Sequence, residues 1–230
     1  MSPQTSQFDD IRYREINEKR KQILDDLLHK VLPTVGLRTA VDVGCGIGFF
    51  SHYLWTLGLQ VQAFDGRPEN VQVAQERYPA IHFGLWNAED RVTMPAGQFD
   101  LVLCFGLLNH LENPFRVIRN LKAITEKVMV IESVITESRL PMATLVDEIE
   151  HGEAQALNYL SFILTESALA KMLYATGFKH VTKIVNLPDH EEFLTGPWRR
   201  IVSVASDMKI DSPFLNEIPE PFYRIPDVAE

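Results

Sequence analysis

In the stretch VDVGCGIGFFS, running from Val41 to Ser51, glycines stand at alternate positions: Gly44, Gly46 and Gly48. An apolar run precedes them (Leu37, Ala40, Val41, Val43) and a helical pattern follows. A strand, a tight glycine turn and a helix aim backbone N–H groups and a helix N-terminus at one point, a common cradle for a nucleotide-like ligand. Asp65, in VQAFDGRP, falls 21 residues beyond Gly44 at the end of a second apolar segment. One carboxylate there can accept hydrogen bonds from both adjacent hydroxyls of a ribose; it can also cap the helix that Pro68 opens. In LWNAED, residues 85–90, the Asn87 oxygen can accept from an amino group. His110 stands in GLLNHLENP, and histidine is the residue type best suited to proton transfer near neutral pH. It can equally pack or cap the helix that follows.

The elements that must hold these residues alternate between two periods. Residues 9–32 read as an amphipathic helix stopped at Pro33, and 37–43 as a first strand. Helices over 47–57 and 68–78 alternate with strands over 59–64 and 80–84. FDLVLCF, residues 99–105, is the nearly continuous apolar run of a strand covered on both faces. A helix over 114–124 and a fifth strand over 127–133 follow. Strands alternating with helices imply a parallel sheet wrapped on both sides. Residues 142–157 read as an inserted helix and 165–178 as a helix capped by Thr165, with closing strands over 178–185 and 199–205. The expected division is one domain over 1–206, with a lid insertion at about 137–160, and a tail over 207–230. The tail, with four of the 13 prolines, reads as a surface strap or a disordered segment.

Composition narrows the class. With 46% hydrophobic and 23% charged residues the chain has the makeup of a globular domain. No apolar run reaches the ~20 residues of a membrane helix. The polar N-terminus lacks a signal peptide's apolar core, so the expected location is the cytoplasm, with no membrane partner. Cys45 and Cys104 form no metal-ligand pattern, and no metal is expected. A net charge of −9, and six Lys/Arg against six Asp/Glu over residues 9–30, disfavour a nucleic-acid partner.

A dinucleotide fingerprint would place its third glycine at position 49, which is Phe49. Glycines at 44, 46 and 48, with Asp42 ahead of them, instead resemble motif I of the class I S-adenosylmethionine-dependent methyltransferases. Four segments in order over residues 41–115 carry the resemblance. It implies S-adenosyl-L-methionine as cofactor and an α/β fold: a seven-stranded Rossmann-like sheet, mostly parallel, with an N-terminal helix and a helical lid. It assigns Asp42, Gly44, Cys45 and Gly46 to the amino-acid end. Asp65 and Gly66 go to the ribose, and Asn87, Ala88 and Glu89 to the adenine. A backbone carbonyl at Cys104 or Phe105 takes the amino group, with Gly106 admitting a close approach. Asn87 departs from the family's more common aspartate.

Transfer from a sulfonium depends mostly on alignment, and a base is needed only for an acceptor whose proton is held tightly. His110 is the candidate base. The 137–157 stretch carries Glu137, Asp147, Glu148, Glu150 and Glu153 against Arg139. It reads either as a solvated helix face or as an acidic lid suited to a neutral or amine-bearing acceptor. Tyr13, Tyr159, Phe162 and Trp198 can line an apolar pocket or belong to the core. Residues 103–205 are also similar to the tRNA wobble-uridine carboxymethyltransferase family. That family uses an arginine on the last strand to hold a cofactor carboxylate; Arg200 matches it most closely, with Arg199 adjacent. Asn109 and Leu157 depart from that family, which also has a basic extension this chain lacks. Tyr13, Tyr159, Arg199 and Arg200 are thus the candidate substrate residues. The expected function is methyl transfer to oxygen or nitrogen of a small molecule. The alternatives are tRNA wobble-base modification and cofactor binding without catalysis.

Overall fold

The FDLVLCF run forms β4 (Phe99–Phe105), buried at every position, as a strand covered on both faces must be. The computed structural model describes residues 6–148, 157, 160–194 and 198–223. Beside β4 lies β1 (Thr39–Val43), which pairs in parallel with β4 and with β2 (Gln60–Asp65). β2 continues in parallel to β3 (His82–Leu85), and β4 pairs in parallel with β5 (Thr125–Thr136) on its other side. The direction of strand addition therefore reverses at β1, and a crevice opens beyond the carboxyl ends of β1 and β4. β9 (Trp198–Ser206) runs antiparallel to β5, and β8 (His180–Ile184) antiparallel to β9.

Those seven strands are the expected sheet, but among the described residues it has ten. Leu215–Glu217 forms β10, antiparallel to β8. The Tyr174 hydroxyl donates to Ile218 O (2.7 Å), and the Ile218 N–H donates to Val181 O (2.8 Å). That part of the tail is thus a strap bound to the sheet.

The expected helix over 142–157 is corrected. Ala143–Asp147 is a strand, β6, antiparallel to β7 (Leu160–Thr165), and residues 149–156 lie outside the described residues. Thr144 and Val146 are β-branched, and β7 offers them a partner. Within the described residues the insertion is a hairpin of β6 and β7.

Alternation along each strand splits the core. On one face Leu101, Leu103 and Phe105 pack with α1 (Ile11–Asp26), α2 (Phe49–Thr56) and α3 (Pro68–Arg77) through Leu24, Leu54 and Ala74. On the other, Val102 and Cys104 pack with α4 (Pro114–Ile124) and α5 (Glu166–Ala175) through Ile118 and Leu173. A one-turn helix, α6 (Glu191–Leu194), precedes β9.

Thr165 joins the hairpin to α5. Its fully buried hydroxyl accepts from Ala168 N–H (3.1 Å) as the helix cap, accepts from Met142 N–H (3.1 Å) and donates to Leu140 O (2.9 Å). Thr165→Ala is expected to cost about 1–3 kcal/mol in urea denaturation through the lost cap and the orphaned groups. Thr165→Ser should recover most of it.

Candidate active site

A cavity of 640 Å³ lies over the carboxyl ends of β1, β2 and β4, roofed by the first half of α1. Its floor is the glycine loop. Gly44 (φ +74°) and Gly48 (φ +88°) adopt left-handed backbone, where a side chain is strained. A Cβ on Gly44 would stand 2.9 Å from Leu107 Cβ, and one on Gly48 would stand 2.9 Å from the Phe83 ring. The spacing 44, 46, 48 thus lets the loop approach the β4 turn at one end and the β3 side at the other.

Asp65 ends β2 at the cavity wall, 8% exposed. Its Oδ2 accepts from Gly46 N–H (2.9 Å); its Oδ1 accepts from Arg67 N–H (2.9 Å) and Asn70 Nδ2 (3.1 Å). Burial raises its carboxyl pKa against these donors. Among the described residues, three of its roughly four acceptor positions are used, which leaves Oδ2 capacity for one more donor. Gly66 lines the cavity beside it, and a Cβ there would meet Leu157 Cδ1 at 2.7 Å.

Asp42 lies beneath the loop and off the cavity wall. It is buried and accepts from Ser51 Oγ (2.6 Å). Burial pushes its carboxyl up to about 7, the Ser51 hydroxyl opposes the rise, and the nearby Asp65 charge adds to it. Cys45 lines the cavity, its thiol pushed up by burial. Cys104 faces the opposite core, so only its backbone is directed toward the site side of the sheet. Phe105 lines the cavity, edge-on to Phe50 at 5.2 Å.

Asn87, Ala88 and Glu89 line the far end. The Asn87 oxygen accepts from Glu89 N–H (3.0 Å), turned into its own loop rather than presented outward. Ala88 O accepts from the buried Asn120 side chain (2.8 Å), and the Glu89 carboxylate accepts from Asn113 N–H. These bonds fasten the segment to α4. At the near end His110 lines the cavity from a 3-10 turn, Leu108–His110, with Nδ1 3.0 Å from Glu148 Oε1.

The substrate candidates separate. Tyr13 and Arg200 line the cavity. Arg199 points to the opposite face of β9 and pairs with Glu166 (3.3 Å). Tyr159 lies outside the described residues. Trp198 is half exposed, and Phe162 borders a second groove of 940 Å³.

Sequence reasoning missed a buried charge cluster at the near end. Glu132, fully buried on β5, meets Arg20 Nε of α1 (3.1 Å) and Arg200 Nη1 (2.9 Å). Arg200 Nε also donates to Glu192, and Arg20 Nη1 donates to Asn17 Oδ1 (2.9 Å). Burial opposes the Glu132 charge, but the two guanidinium groups outweigh it and hold the carboxyl below its ordinary range. A Cβ on Gly106 would stand 2.9 Å from Arg20 Nη2, so the guanidinium lies against that glycine. One signal was available. Ile16, Arg20, Ile23, Leu24 and Leu27 share one helical stripe, so Arg20 sits where an apolar residue is expected.

A family model described as a methyltransferase domain matches residues 16–183, from α1 to β8. The chain belongs to that family, and its fold is that of the class I S-adenosylmethionine-dependent methyltransferases. Among curated relatives, a ubiquinone biosynthesis O-methyltransferase of Xanthomonas axonopodis pv. citri (strain 306) is 39% identical over 83 residues, 34% of this chain and 35% of that protein. One from Xanthomonas oryzae pv. oryzae (strain PXO99A) is 36% identical over 98 residues, 41% of each chain. The matches thus span about a third to two fifths of the relatives' length. Among solved structures, the N-terminal domain of EvdMO1 with SAH bound is similar at TM-score 0.65 and 19% identity, over 83% of this chain and 79% of that one. Magnesium protoporphyrin IX methyltransferase of Synechocystis PCC 6803 with bound SAM gives TM-score 0.57 at 18% identity, over 86% and 85%. SAM-bound CalS10, an amino pentose methyltransferase from Micromonospora echinaspora, gives 0.59 at 16%, over 89% and 100%. At these identities the likeness is one of fold.

The cavity fits such a cofactor on its own chemistry. Glycines stand where Cβ atoms would intrude, an acidic oxygen keeps acceptor capacity, and a guanidinium lies against Gly106. Asp65→Ala is therefore expected to weaken S-adenosylhomocysteine binding by roughly 1–3 kcal/mol in calorimetry; unchanged affinity would refute the ribose assignment. Asp42 supplies a pH test. Its folded pKa lies above the unfolded value, so its stabilising contribution is complete at low pH and is lost as pH rises toward and through about 7. Melting temperatures from pH 4 to 8 should show Asp42→Asn gaining relative to wild type as pH rises.

Proposed function

We propose that the protein transfers a methyl group from S-adenosyl-L-methionine to an oxygen or nitrogen of a small molecule. The observation that carries this reading is that one cavity joins Asp65, the glycine loop, Gly106 and the His110 imidazole. Bound there, the cofactor would supply an electrophilic methyl group on a sulfonium. Asp65 would accept from the ribose, and the Asn87–Glu89 segment would border the adenine. The backbone at Gly44–Gly46 and Phe105 would hold the amino-acid end, with Arg20 facing its carboxylate. Tyr13 on α1 closes the wall and limits water, which favours displacement by an oriented acceptor over hydrolysis.

His110 acts on the acceptor. A neutral amine attacks through its free lone pair and sheds a proton only afterwards, whereas an alcohol or phenol is a weak nucleophile until its proton is taken, so a base on the wall favours oxygen. The similarity to ubiquinone biosynthesis O-methyltransferases points the same way. Arg200, the candidate for binding a substrate anion, is already engaged by Glu132 and Glu192, which favours an uncharged acceptor.

The test measures S-adenosylhomocysteine formation with a panel of phenols, sugar hydroxyls and amines. A hydroxyl acceptor is expected to be turned over. His110→Ala should lower its turnover by ~10²-fold or more, with cofactor affinity within threefold. A loss under threefold would return His110 to a structural role.

A further inference from the structure

The acidic insertion does more than set a charge. Glu148 directly follows β6, and its side chain is only 8% exposed. Its Oε1 lies 3.0 Å from His110 Nδ1 and also accepts from Ser161 Oγ at 2.8 Å. Ser161 stands on β7 opposite Val146, so both strands of the hairpin fix one carboxylate oxygen. The next residue, Phe162, donates its N–H to Leu111 O (3.1 Å), tying the hairpin to the residue after His110. On the other side, the His110 N–H donates to Leu107 O (2.9 Å). The imidazole is thus held by its backbone from the β4 side and by its ring from the hairpin.

A carboxylate at Nδ1 selects the tautomer that carries hydrogen there and leaves the lone pair on Nε2. It also stabilises the imidazolium that forms when Nε2 takes a proton. We infer that Glu148 is the positioning residue for His110: anchored by Ser161, it keeps Nδ1 protonated and leaves Nε2 to receive the acceptor's hydroxyl proton. That proton passes to Nε2, the Glu148 charge balances the imidazolium, and the proton returns to solvent after transfer. The inference rests on the reading of His110 as base, and it gives the hairpin a role in assembling that base.

The test reads histidine ¹⁵N spectra of the full chain saturated with S-adenosylhomocysteine, with the His110 signals assigned from His110→Gln. Wild type should show the Nδ1–H tautomer. Glu148→Ala should lose it, Glu148→Asp should restore part of it, and Ser161→Ala should weaken it with the hairpin kept. An unchanged tautomer in a folded Glu148→Ala would overturn the proposal, whether or not any acceptor is turned over. With catechol as acceptor probe, Glu148→Ala should lower kcat about tenfold or more with KM within threefold. In the His110→Ala background it should add no further loss; an equal loss there would also contradict it. Full turnover by His110→Ala would instead sink the base reading, independently of the tautomer.

Discussion

Burying the Asp65 carboxylate at the carboxyl end of β2 is costly unless donors meet it, and the donors that do so are the parts of the site. Gly46 N–H belongs to the glycine loop, Arg67 N–H to the approach to α3, and Asn70 to the first turn of that helix. One side chain thus fixes the loop after β1, the end of β2 and the start of α3 relative to one another. The conformation of the loop in turn needs the left-handed glycines, and those glycines admit Leu107 and the aromatic side of β3. Asp42 supports the arrangement from below through Ser51 at the start of α2.

The second fixed point is Glu132. A buried ion cluster contributes little net stability against its well-packed apolar equivalent, but losing one partner leaves an uncompensated charge. Arg20 and Arg200 therefore hold α1 and β9 to β5 at a definite place. α1 is the roof of the cavity, so the cluster sets how the roof sits over Gly106. The hairpin of β6 and β7 closes the remaining side through Glu148 and His110.

Much of this was legible in the residues. The alternating periods placed the five parallel strands and their helices, because apolar burial on both faces writes a local pattern. The glycines, Asp65 and His110 stood out because their chemistry is local to a short segment, and Gly44, Gly46, Asp65 and His110 line one cavity. What was not legible depends on pairing across the chain. β6 forms because β7 is beside it, and no period within residues 142–148 announces that. Arg199 and Arg200 differ only by strand parity: Arg200 shares its face with Val202 and Val204, while Arg199 shares its face with Ile201. The Asn87 oxygen was expected outward, but a turn bond two residues on competes for it, as asparagine commonly allows. Arg20 and Glu132 each interrupt an apolar stripe, and only together do they explain each other.

The central claim is that an adenosyl sulfonium lies across the carboxyl ends of β1, β2 and β4. A crystal structure of the full chain grown with S-adenosylhomocysteine tests it most directly. The account expects the ribose against Asp65, the adenine beside Ala88 and the amino-acid end between Gly44 and Gly106. Ligand bound elsewhere, with this cavity filled by side chains, would contradict it.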